Sequence, residues 1–464
     1  MLPGWIIFAA AFSYMMLLFA IATYGDRKST HFAEHKRGRP IVYALSLAIY
    51  CTSWTYFGAV GQASSDGWEF LGIYTGPILL FTLGMPLVRK IIGLAKAERL
   101  TSVADFVAAR YGKNSTIATI VAVIALVSAI PYIALQLKAV TASVALLGGT
   151  NVRFVPDFSD RFVEVSIIMT LLMALFAIIF GTRHTDATEH QDGLILAISL
   201  ESLIKLLALC AIGIYITFWL YSGPIDLWGS VTQNPQVQAA LEHETSIARW
   251  IVLTFLSGCA IILLPRQFHV AVVENRSTRE LQAARVLLPL YLIAINLFVV
   301  PIAFTGLSMP EAGTARDLYV LSIPIALDNQ ILSLIVFIGG FSAATAMVIV
   351  SSVALAIMVS NEFVMPLLLR LSVTRSRQIE KNFSRLVLMV RRFAIIGVLL
   401  LGYVYYSVAN SETDLASIGL LAFSAIAQIS PALLIGLIWN NANARGAIIG
   451  LLLGFTSWIY LLLI

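Results

Sequence analysis

The stretch AIYCTSWTYFGAVG, residues 48–61, decides the reading of this chain. It sets Cys51, Thr52, Ser53, Trp54, Thr55 and Tyr56 in a row, then Gly58 and Gly61, inside an apolar run long enough to cross a bilayer. Hydroxyls and glycines at that depth mark a helix that is broken or lines a polar cavity, because unsatisfied backbone cannot face lipid. A second interrupted run, residues 257–265, begins with Ser257-Gly258 and ends at Pro265. Two interrupted helices at matching positions of two halves point to a solute site at the bilayer midplane.

The rest of the chain fits that setting. Of 464 residues, 59% are hydrophobic and 12% charged, where a soluble domain carries about 25% charged. The mean hydropathy is +0.89. No polar block is long enough to form a soluble domain, so the chain reads as one all-α polytopic membrane domain. Twelve apolar runs stand near residues 4–24, 41–62, 70–92, 116–147, 163–182, 190–220, 250–268, 284–306, 329–360, 391–410, 416–438 and 446–464. Of the 30 Lys and Arg, 24 fall in stretches that this count makes cytoplasmic, the adjoining run ends included, and 4 in loops it makes external; Lys138 and Lys205 lie in the interior of runs. A miscounted helix would invert that bias downstream, so the N-terminus is expected outside. The first run lacks a basic leader and is followed by Lys and Arg, which marks a retained helix rather than a signal peptide. Trp5, Trp68, Trp219, Trp228, Trp250, Trp439 and Trp458 lie near run ends as interfacial anchors, whereas Trp54 sits mid-run. The net charge of +5 comes from membrane-flanking loops and implies no nucleic-acid partner. Cys51, Cys210 and Cys259 have no metal-like spacing.

If runs two to six and seven to eleven form two halves, their topologies are opposite, because five is odd. The expected division is an extra first helix with its basic loop (1–40), a first inverted repeat (41–249), a second (250–445) and an additional helix (446–464).

Several polar groups inside the runs are candidates for chemistry. Glu201 and Lys205, in SLESLIKLLAL, share a helix face at i,i+4 with the acid N-terminal. An unpaired charge at the bilayer centre costs at least about 2.5–3.5 kcal/mol, so mutual pairing is expected, as a structural ion pair or as a coupling or gating pair. GGFSAATAMVIVSS carries Ser342, Thr345, Ser351 and Ser352 on a face of small residues. These hydroxyls either bond back to their own helix or, at Ser342 and Thr345, face unwound carbonyls at residues 48–51 to hold a hard cation. The segment GTRHTDATEHQDG, with His184, Asp186, Glu189, His190 and Asp192, lacks metal-ligand spacing and reads as a solvated turn. Gln136, Lys138, Asn296 and Gln428 read singly as packing. The chain lacks a Walker A sequence, a G-x-S-x-G elbow, a potassium-filter sequence and an Arg-rich voltage helix. It is therefore read as no enzyme, but a secondary transporter or a receptor built like one.

AIYCTSWTYFGAVG, RLTSVADFVAARYGKNS, GTRHTDATEHQDG and FSAATAMVIVSS, supported by PRQFHVAVVENRS and SPALLIGLIW, cover most of the chain. Through them it resembles the solute:sodium symporter family, and more closely the symporter-like input domain at the N-terminus of bacterial sensor histidine kinases. The resemblance implies a leucine-transporter-like fold of five-plus-five inverted repeats, spans two to eleven, in a bacterial cytoplasmic membrane. It implies a sodium site on the carbonyls of Ala48, Cys51 and Ser342 and on hydroxyls at positions 345 and 346. Thr345 supplies one hydroxyl and Ala346 cannot supply the other, so proton coupling stands beside sodium coupling. Thr52 and Thr55 match substrate positions, and Trp54 joins them from its mid-run place. No organic cofactor is implied. The expected function is ion-coupled transport of a small polar solute such as an amino acid; the alternative is a solute sensor with a cytoplasmic histidine kinase module as partner. Twelve spans from outside would leave Ile464 outside, so a kinase would need a further span after it.

Overall fold

The computed structural model describes residues 2–27, 38–149, 161–181, 191–367, 378–409 and 413–463. Among them every regular element is helical. The long elements are α1 (Gly4–Arg27), α2 (Gly38–Ser46), α3 (Ala59–Asp66), α4 (Gly72–Thr82), α5 (Met85–Ala97), α6 (Ser115–Gly148), α7 (Arg161–Gly181), α8 (Asp192–Tyr215), α9 (Ile247–Leu263), α10 (Thr278–Asn296), α11 (Gln330–Val359), α12 (Gln378–Val408), α13 (Leu415–Ala427) and α14 (Ala444–Leu463). Eight helical runs are long and apolar enough to cross a bilayer, and two bent pairs raise the count to ten. The two expected spans not counted as separate crossings are the broken run of residues 38–66, whose second part (54–66) is counted with α4 and α5 in the first bent pair, and α7.

Both interruptions exist, and each has a cause. After α2 the chain tightens into a 3-10 turn (Leu47–Tyr50), passes through extended Cys51, and resumes as a π-helical turn (Trp54–Gly58) leading into α3. In the second run the break falls at Leu264, later than Ser257-Gly258. A residue before proline is pushed out of the helical region, and Leu264 is extended at ψ 132° ahead of Pro265. The two segments on either side meet at 57°. Ser257 and Gly258 lie within unbroken α9, where they seat it against α4: a Cβ on Gly76 would fall 2.2 Å from the Thr254 carbonyl and 2.5 Å from the Gly258 nitrogen. That sequence signal was a packing signal.

The helices pair in a pattern that repeats five spans on. α4 packs on α9, and α2 on α10; α8 packs on α11, and α6 on α13. Likewise α6 packs on α12 as α7 does on α11, and α2 on α8 as α9 does on α13. α11 is the most enclosed of the long runs, whereas α14 is almost wholly exposed at the periphery. α1 lies against α8. Trp5, Trp68, Trp219, Trp228 and Trp439 are exposed and Trp54 is buried.

Candidate solute and cation site

The first break frees backbone carbonyls deep in the bundle, and a side chain takes them up. The Lys205 ammonium, on α8, donates to Ala48 O at 2.8 Å and to Cys51 O at 2.6 Å. These are two of the carbonyls the sequence offered to a cation. Lys205 is fully buried, and hydrogen bonds to a charged donor are about twice as strong as neutral ones. The unwinding at residue 51 and the burial of Lys205 therefore support each other.

Glu201 takes another direction. Its Oε1 accepts from the Thr345 hydroxyl at 2.9 Å and from the Tyr14 hydroxyl of α1 at 3.3 Å. Its backbone carbonyl accepts from Ser342 Oγ at 3.1 Å, and Ser342 O accepts from Thr345 at 3.2 Å. Among the described residues no ion pair joins Glu201 to Lys205, contrary to the mutual pairing expected from i,i+4 spacing. A helix one turn away can offer Lys205 only a carboxylate; the broken helix offers two carbonyls directly. Ala346 is buried beside this group with no polar side-chain atom to add.

The positions expected to meet substrate, Thr52, Trp54 and Thr55, lie in an aromatic cluster. Trp54 stands edge-on to Phe423 at 4.9 Å and to Tyr132 at 6.4 Å, while Tyr132 and Phe423 stack at 5.9 Å. Tyr50 reaches Phe423 at 6.0 Å. Thr52 Oγ1 and the Tyr132 hydroxyl share a 3.0 Å hydrogen bond, and Thr55 is buried in the same turn. Gly419 makes room for the indole: a Cβ there would come within 2.3 Å of Trp54 Cε3. Gln136 ties the restarting helix, accepting from Ser53 N at 3.1 Å and donating to Tyr132 O.

Charge counting missed one central residue. Arg266 follows Pro265 and was counted among the basic residues of a cytoplasmic loop, yet it is only 2% exposed. Its guanidinium carbon lies 4.3 Å from the centre of the Tyr132 ring. The signal was present in Pro265, since a proline that breaks a helix lets the chain continue at the same depth.

Both ends of the bundle are tied by polar contacts. At the end expected to be cytoplasmic, Arg39 pairs with Asp192 and, at 2.9 Å, with Glu280, and donates to Glu274 O. Arg276 holds the other Asp192 oxygen at 2.9 Å. Asp192, expected in a solvated turn, is thus buried and doubly paired. His184, Asp186, Glu189 and His190 lie outside the described residues, and among those described no group of His, Cys, Asp or Glu is placed to hold a metal. At the opposite end Arg316 donates to Ser64 O and Ser65 Oγ, Asp317 accepts from Leu415 N at 3.0 Å, and Lys138 donates to Thr413 O. These residues border a cavity of about 380 Å³. Asp317 sits so close to α3 that a Cβ on Gly61 would lie 1.9 Å from its Oδ1.

No family model matches the chain. It is 27% identical over 424 residues to the uncharacterized symporter YodF of Bacillus subtilis (strain 168), covering 90% of this chain and 78% of that one. It is 23% identical over 429 residues to the uncharacterized symporter YhjB of the same organism, covering 91% and 81%. Its fold is similar to that of a Na+-coupled sialic acid symporter solved substrate-bound and outward-open, with a TM-score of 0.66 at 14% identity over 98% of this chain and 96% of that one. The chain is a multi-pass bacterial membrane protein with a transporter's fold, and not an enzyme. These relatives lend no support to the kinase-linked resemblance.

Proposed function

We propose that this chain is a secondary active transporter of a small polar solute, an amino acid in the first instance, driven by a proton gradient through Lys205. The observation that carries the reading is the Lys205 ammonium on the carbonyls of Ala48 and Cys51. A cation site built from unwound backbone needs one positive charge, and here the chain supplies it. The Thr345 hydroxyl donates to Glu201, and position 346 has no hydroxyl to complete an oxygen cage. A tethered ammonium can leave these carbonyls only by losing its proton or by moving with α8, so a proton takes the part that a free ion plays elsewhere. The repeated helix pairings support a five-plus-five inverted repeat over spans two to eleven, and the charge distribution supports an external N-terminus. The Na+-coupled structural neighbour makes sodium the rival ion.

The test is uptake of radiolabelled L-amino acids into proteoliposomes under an imposed pH gradient, acid outside, with sodium absent, and then under a sodium gradient at constant pH. The expected result is accumulation above equilibrium with the pH gradient alone, lost in Lys205→Met. Accumulation that needs sodium, or that survives Lys205→Met unchanged, would overturn the proposal.

A further inference from the structure

We propose that Arg266 is the anchor for a carboxylate on the solute, so that the protein takes carboxylate-bearing solutes and rejects their neutral and cationic analogues. This rests on the transport reading for its setting but on different atoms. Arg266 is among the largest fully buried side chains, and its Nε and Nη2 have no hydrogen-bond acceptor. Among the described residues no carboxylate pairs with it. Beside it, Gln267 is completely buried with both amide atoms unpartnered. Ser53, across the first break, is buried with an unpartnered hydroxyl.

A buried guanidinium without an anion is strongly unfavourable, since desolvation is offset only by an opposite charge and filled hydrogen bonds. The other charges of the central region do not supply one. Glu201 is bonded to Thr345 and Tyr14, and Lys205 adds a second positive charge on the break. Two cations and one carboxylate leave the region one negative charge short. Guanidinium and carboxylate match as planar, doubly hydrogen-bonding partners, and Arg266 presents two free donors to such a partner. The Gln267 amide can donate to the same group or accept from a neighbouring one. The aromatic faces of Trp54, Tyr132 and Phe423 would then wall the rest of the molecule.

The experiment is thermal unfolding of the purified full chain in chloride-free methanesulfonate buffer, with each of the twenty L-amino acids and a set of hydroxy, keto and short-chain carboxylic acids. Each hit is repeated as its amide and its decarboxylated amine. The expected result is stabilisation by one or more carboxylates, with affinity about 100-fold weaker for the amide and amine, as for loss of a buried charged partner. Arg266→Met should lose the carboxylate response while unfolding at a higher temperature than the parent without ligand, because it removes an unpaired buried charge. A merely structural arginine would give the opposite, a ligand-free variant that unfolds lower, and that result would overturn the proposal. So would equal binding of an amide or amine, stabilisation by chloride alone to the same degree, or silence across the whole panel. Binding without accumulation in proteoliposomes would instead overturn the transport reading and leave the Arg266 assignment standing.

Discussion

Replacing Lys205 with alanine should convert a sodium-indifferent protein into a sodium-responsive one. The ammonium holds two buried carbonyls, at 2.8 Å on Ala48 and 2.6 Å on Cys51. Leaving a buried acceptor unsatisfied costs about 1–3 kcal/mol, so Lys205→Ala should destabilise the fold by about 2–6 kcal/mol. The vacated space sits on the carbonyl oxygens that hard cations prefer. Sodium should therefore restore part of the loss. An ion present at about 100 times its dissociation constant returns about 2.7 kcal/mol. Adding Ala346→Ser, which supplies the second hydroxyl, should tighten that response. The assay is thermal unfolding in NaCl against choline chloride at matched ionic strength. The parent should give superimposable curves, Lys205→Ala a lower midpoint that rises with sodium, and the double variant a steeper rise. A parent protein stabilised by sodium as strongly as the variant would refute the reasoning, as would a variant that loses no stability.

Three further outcomes follow from the geometry. Gly419→Ala should drive a methyl into the Trp54 indole, a clash at 2.3 Å that costs about 1–3 kcal/mol of packing; Trp fluorescence and solute affinity should both change while the topology is retained. Arg39→Gln leaves Glu280 buried without its cation while Asp192 keeps Arg276, about 3–5 kcal/mol by the behaviour of a broken buried pair, and hydrogen exchange should quicken in residues 38–46 and 191–195 before the rest of the bundle. Burial, helped by the neighbouring Asp414 carboxylate, raises the Asp317 pKa from 3.8 to about 6 against the opposing Leu415 N–H and Lys138. A carboxyl whose pKa is raised in the folded form stabilises it at low pH and loses that contribution as pH rises through about 6. The protection of residues 61–66 and 314–318, corrected for the intrinsic rise of amide exchange with pH, should therefore be lower above pH 6 than at pH 4.5, and Asp317→Asn should remove the difference.

Much of this was legible in the chain, and the misses have physical reasons. Residues 48–61 announced a broken helix because hydroxyls there have no other reason to lie at bilayer depth, and the break is at Cys51. Ala48 and Cys51 could be singled out as open carbonyls, but their occupant could not, since spacing along α8 speaks only of neighbours on the same helix. Ser257-Gly258 looked like a break because small residues serve both for unwinding and for close helix contact; only Pro265, which forces its predecessor out of the helix, separated the two. Arg266 was misread because it stands at the end of its run, where a count of basic residues assigns it to the adjoining loop, and a buried arginine looks the same in such a count. Asp192 was misread in the same way, since its partners Arg39 and Arg276 come from segments more than eighty residues away.

The two buried cations divide the work in a way that a free ion could not. Sodium on backbone carbonyls leaves with each cycle, so its binding and the solute's are coupled through one shared site. Lys205 stays on α8 and Arg266 stays beside the second break, so the proton and the solute carboxylate address different helices. The carboxylate bonds to Arg266 and the Lys205 ammonium to the carbonyls of Ala48 and Cys51, and because the two like charges repel each other, a bound carboxylate favours the protonated ammonium and so couples the two. Solute binding and proton release should still be separable by mutation. Arg266→Met should abolish binding yet keep the sodium-indifferent unfolding of the parent, and Lys205→Met should keep carboxylate binding yet lose accumulation. If one substitution removed both properties, the two charges would act as a single site, and a division of labour between the two breaks would be wrong.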